Sequence, residues 1–131
     1  MPHAPEQHSI ASTLAALEAS PLSRKKAMLL VLLIDAAVDD ARPGLADVLA
    51  HRQAVASKSP ALALVMELAA MRGDGPRLVI EAVKAAPLSE AEYMVSVYNS
   101  ATVPRLMIAR EGAVSEALPV LRQAVADLVG T

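Results

Sequence analysis

No cysteine occurs in the 131-residue chain, and phenylalanine and tryptophan are absent too. The first absence removes disulfides, thiolate metal sites and a cysteine nucleophile together. It agrees with a reducing, cytoplasmic setting, without demanding one. Two tyrosines are the only aromatics and the net charge is −2. The chain therefore has few platforms on which bases could stack and no general attraction for phosphates, and no nucleic-acid partner is expected. Glycine is scarce as well: there are five, none in GxGxxG or GxxxxGK spacing, the patterns whose bare backbone cradles phosphates. No apolar run approaches the roughly 20 residues that cross a bilayer. The most apolar stretch, Ala27 to Ile34, follows Arg24, Lys25 and Lys26 in the manner of a signal peptide. It starts more than twenty residues into the chain, however, and Asp35 interrupts it after eight residues. A buried core helix is the expectation there, with no membrane role.

What the chain does have is aliphatic bulk. Hydrophobic residues make up 54% of it, so the core must be built from Leu, Val, Ile, Met and Ala. That blend suits closely packed helices. A chain of this length suits one domain, and such a domain buries roughly two-thirds of its unfolded surface without needing staples. The abundant alanine, with few aromatics and few lysines, has the composition of a GC-rich bacterial proteome.

These features predict an all-α protein: a compact single-domain bundle of five to seven helices around a buried central helix at about residues 21–42. Residues 1–8, with two prolines, are expected to be a flexible N-terminal tail, and residues 9–131 the domain. A first helix is placed from Ser9, with Ile10, Leu14 and Leu17 at helical spacing, stopping before Pro21. Ser20 or Ser23 can cap the central helix and Pro43 ends it. At 1.5 Å per residue it would be about 30 Å long. Its stretch Met28 to Ile34 is apolar on every side, which predicts burial all round or half of an oligomer interface.

A third helix is expected over about 44–57, with Leu45, Val48, Leu49 and Val55 inward and Asp47, His51 and Gln53 towards water. In the fourth, Ser59 is the N-cap, Pro60 takes the first position and Gly73 follows the end. Gly73-Asp74-Gly75-Pro76 is the clearest turn. Leu78 to Lys84 is expected to be helical up to Pro87. Ser89 and Glu92 form a capping box for a helix that stops before Pro104, and a last helix runs to Val129 from Ser115 or Pro119.

Pro76-Arg77-Leu78-Val79-Ile80 is echoed by Pro104-Arg105-Leu106-Met107-Ile108, which allows a helix-pair repeat. The same segments could instead be strands, since short apolar runs do not distinguish the two. This defines the alternative, an α+β fold with short strands near 77–81 and 105–109.

Residues that could carry chemistry are few. On the central helix, basic Arg24, Lys25 and Lys26 precede acidic Asp35, Asp39 and Asp40. That order opposes the helix dipole at about 0.3–1 kcal/mol per exposed charge, and local rules are most often broken for function or for a tertiary contact. Asp35 and Asp39, one turn apart, are weak candidates for sharing a metal ion; they are equally placed to pair with a cation on a neighbouring helix. Asp47 and His51 have the spacing of a helical metal half-site but lack further ligands. No cofactor is expected.

The most promising ligand or partner surface is Tyr93, Tyr98 and Asn99, followed by Arg105 and Arg110, where rigid aromatic faces meet guanidinium forks for carboxylate or phosphate. No pattern names a reaction. The reading is a non-enzymatic helical interaction or regulatory module that self-associates as a dimer. The alternative is a small-ligand or metal-ion binding protein, possibly an enzyme, with its site between helices.

Overall fold

A computed structural model of the chain describes residues 4–40, 48–84, 89–98 and 102–129. Among them the order is α1 (Ala4–Ala19), α2 (Arg24–Asp40), α3 (Val48–Lys58), α4 (Pro60–Ala70), β1 (Arg77–Lys84), α5 (Glu90–Tyr98), β2 (Thr102–Arg110), β3 (Ala113–Glu116) and α6 (Ala117–Val129). The fold is mostly helical with a small antiparallel sheet of order β1-β2-β3. The all-α expectation is corrected accordingly. The two segments of the α+β alternative, 77–81 and 105–109, lie within β1 and β2.

Caps explain where α2, α4 and α5 start. At α2 the choice between Ser20 and Ser23 falls on Ser23, whose Oγ accepts from the Lys26 amide at 3.1 Å. Pro21 and Leu22 form the turn before it. With 17 residues, α2 is about 25 Å long. Pro43 and the expected start of α3 at Gly44 lie outside the described residues. Ser59 caps α4 by accepting from the Leu62 amide at 3.0 Å, with Pro60 in the first turn. The end of α4 differs from expectation: Met71, not Gly73, takes the left-handed conformation (φ 51°, ψ 40°) and closes the helix on the Leu68 carbonyl. Ser89 accepts from the Glu92 amide at 3.1 Å and opens α5.

Residues 77–84 form a strand, not the expected helix, because pairing with β2 settles an ambiguous local preference. Val79, Ile80 and Val83 are β-branched, and such side chains sit well on a pleated surface. The repeated sequence turns out to be two strands facing each other. Leu78 lies opposite Ile108, Val79 opposite Met107, and Ile80 opposite Leu106. Because alternate residues share a face, each Leu-x-Ile pair is turned to one side. Leu78, Leu106 and Ile108 pack on the helical core there, while Ile80 stays 47% exposed. Strand β3 takes Ser115, so the last helix starts at Ala117. Glu111 and Gly112, both at positive φ (50° and 80°), make the two-residue turn between β2 and β3. Two consecutive positive φ values are what a type I′ hairpin turn requires.

Helix α2 contacts α1, α3, α4 and α6. Its Ala27, Leu30, Val31, Ile34 and Val38 are buried with Leu17 of α1, Leu62, Val65 and Leu68 of α4, and Leu121 and Ala124 of α6. The expected burial on all sides is not met, since Leu29 is 51% and Leu32 42% exposed. Nor do the first apolar residues of α3 face inward: Val48 and Leu49 are exposed and only Val55 of that helix is buried. His51, expected to face water, lies with its Nε2 3.1 Å from the Val38 carbonyl of α2. No helix among the described residues is long and apolar enough to cross a membrane.

Candidate functional site

Asp35, Asp39, Arg105 and Arg110 fall into three separate places. Asp35 and Asp39 converge on a single cation from α3: Arg52 donates to Asp35 Oδ1 at 2.5 Å and to Asp39 Oδ1 at 3.1 Å. One helical turn separates the two carboxylates, and the planar guanidinium spans both. Burial is the largest single influence on the Arg52 pKa and works to lower it. The hydrogen bonds and charges of Asp35 and Asp39 together outweigh it, so the guanidinium titrates above its ordinary value. Among the described residues no group of three or more His, Asp or Glu side chains is arranged to hold a metal ion. Asp47 lies outside the described residues.

Arg105 occupies the face of β2 that α5 covers. Its Nε and Nη2 bond the two carboxylate oxygens of Glu92 at 3.0 and 2.8 Å, and its Nη1 bonds Glu116 of β3 at 3.2 Å. With 10% of its side chain exposed, Arg105 joins α5 to both strands of the β2–β3 hairpin. Glu92, the third residue after the α5 cap, thus has its carboxylate on a tertiary partner. Tyr93 sits beside it at 57% exposure. Tyr98 ends α5, and Asn99 lies outside the described residues.

Arg110 is five residues from Arg105, an odd separation, so the two point to opposite faces of the sheet. Arg110 bonds Glu67 of α4 at 2.8 Å across a shallow cleft of about 380 Å³ between α4 and β3. The residues grouped by the sequence are thereby divided. Tyr93 and Arg105 share the α5 side, and Arg110 belongs to the α4 side.

A second concavity, of about 460 Å³, was not expected from the sequence. Met28, Leu68, Met71 and Leu78 form its apolar floor, and Arg24, Lys25, Arg72 and Arg77 stand around it. No carboxylate from the described residues lines it. None of these four cations takes part in an ion pair among the described residues. They come from α2, from the turn after α4 and from β1, so the cluster exists only in three dimensions. The one sequence signal was the basic start of α2.

Compared with protein-family models, curated proteins and solved structures, the chain matches none.

Proposed function

We propose that this protein is a non-enzymatic interaction module that associates with itself, with its helical body organised around α2 and its place of action the cytoplasm. The observation that carries this reading is the apolar surface left open on α2, where Leu29 and Leu32 are 51% and 42% exposed within the longest uninterrupted apolar run of the chain, Ala27 to Ile34. Monomeric proteins rarely expose contiguous apolar patches larger than a few hundred Å², and closed symmetric assembly is a common way to cover such surface. The charged residues that could have served chemistry support the same reading. Asp35, Asp39, Arg105 and Arg110 are each engaged in ion pairs that join one element to another. Nucleic acid and membrane are not proposed as partners.

Sedimentation equilibrium tests the proposal. The expected result is a particle mass that rises with concentration from 13.7 kDa to twice that value. A constant 13.7 kDa at high micromolar concentration would refute self-association.

A second reading rests on the basic concavity beside α2. Four cations around an apolar floor suit a small amphipathic anion, and a volume of about 460 Å³ lies within the ordinary range of ligand pockets, about 300–1,000 Å³. Thermal stabilisation by a medium-chain alkyl carboxylate, absent with the matching alkylammonium, would support it. No shift with either would remove it.

A further inference from the structure

Beyond its first residue, the described side chains of α2 that stand exposed are Lys25, Leu29, Leu32, Ala36 and Asp39. They follow one another at intervals of four, three, four and three, the alternation by which a helix presents one continuous seam to a second helix. The opposite side is occupied by α1, α4 and α6, while α3 reaches the acidic end through Arg52. The seam itself is apolar in the middle and charged at its ends, positive at Lys25 and negative at Asp39. Lys25 and Asp39 each lie seven residues from Leu32. A stripe with this symmetry is complementary to itself when reversed.

We infer that two copies of the chain pair through α2, antiparallel, about a two-fold axis at Leu32. Leu32 then meets Leu32 of the second copy, Leu29 lies beside the second copy's small Ala36, and Lys25 meets the second copy's Asp39. This rests on the self-association proposed above and specifies its surface, orientation and register. A parallel pair is disfavoured because it would set Lys25 on Lys25 and Asp39 on Asp39, with the helix dipoles aligned. In the antiparallel pair the basic start of each helix lies beside the acidic end of the other, which answers the unfavourable order of charge along α2. Arg52 already meets Asp35 and Asp39 within the chain, but a carboxylate accepts at both oxygens and has room for a second donor. Arg24 and Lys25 have no ion-pair partner among the described residues, so the second copy supplies the charge they lack. The seam spans about 21 Å at 1.5 Å per residue. One helix pair of that length falls short of the roughly 800 Å² per partner of a standard interface, so the pairing is expected to be weak and to depend on concentration.

The test uses the full chain in sedimentation velocity over roughly 1 µM to 1 mM, with circular dichroism confirming that each variant is folded. All the substituted side chains are exposed. Leu32→Glu should leave the protein monomeric throughout. Lys25→Glu alone and Asp39→Lys alone should each weaken association about tenfold, because two symmetry-related pairs change from attraction to repulsion. An equimolar mixture of those two variants should regain dimers. In the mixed pair the introduced glutamate faces the introduced lysine, and the native Lys25 of one chain faces the native Asp39 of the other. Both contacts are then again of opposite sign. If the wild type dimerises but Leu32→Glu also does, or the mixture dissociates like its components, the α2 pairing is wrong while self-association stands. A wild type that is monomeric at every concentration overturns both.

Discussion

Arg105→Met is the substitution that most directly separates a structural from a ligand-binding role on the α5 side of the sheet. Methionine keeps much of the length of the side chain and removes its charge, leaving Glu92 and Glu116 facing each other without a cation between them. Breaking a fully buried ion pair from one side costs about 3–5 kcal/mol. Here the acids can partly rehydrate, since their side chains are 24% and 41% exposed, and the cost falls to about 2 kcal/mol. For a domain of this length each kcal/mol moves the melting temperature by about 3–4 °C, so a drop of about 6–8 °C is expected. The chain has no tryptophan, so the transition is best followed by the helical circular dichroism signal, with calorimetry as a check. Glu92→Gln introduced on top of Arg105→Met should recover part of the loss, because it removes one of the two facing charges; Glu92→Gln alone should destabilise. A melting temperature within about 2 °C of wild type would show that Arg105 does not hold α5 to the sheet.

Two further substitutions probe other joints. Ser59 is 5% exposed, caps α4 through the Leu62 amide and donates to Asp127 of α6; Ser59→Ala should cost about 1–2 kcal/mol in urea unfolding, and a loss under about 0.5 kcal/mol would mean that neither bond matters. The Arg52 pKa is raised in the folded chain, so its contribution to stability is fully present below the unfolded value and is lost only as pH climbs through the still higher folded value. The cost of Arg52→Gln should therefore be equal at about pH 8 and about pH 9.5, and a clear difference between the two in matched urea titrations would refute that assignment.

The starts of α4 and α5 were readable because they are marked by chemistry that acts locally. Ser59 with Pro60, and Ser89 with Glu92, need only the next turn of backbone to do their work. The sheet was not readable in the same way. Arg77-Leu78-Val79-Ile80 fits a buried helix as well as a strand when taken alone, and only the facing Leu106-Met107-Ile108 decides between them. The echo between the two segments was the visible trace of that pairing, but a repeat in sequence does not say whether its copies stack as helix pairs or lie opposite each other. Arg105 and Arg110 were separated for a related reason. Closeness along the chain became opposite faces once β2 was known to be a strand, because alternate residues of a strand diverge.

The order of charge on α2 was legible from the start, and its meaning divides in two. At the acidic end the chain supplies its own answer in Arg52, brought across from α3 to sit between Asp35 and Asp39. At the basic end Arg24 and Lys25 have no such answer among the described residues, and they stand beside a concavity that no described carboxylate lines. A helix whose ends both oppose its dipole costs free energy in isolation, and one internal cation offsets only half of the imbalance. The same helix exposes two leucines between those ends. Polar imbalance and apolar exposure lie on one line of residues, so a single reversed copy of that line relieves both, whereas a small anion in the concavity would relieve the charge and leave Leu29 and Leu32 in water.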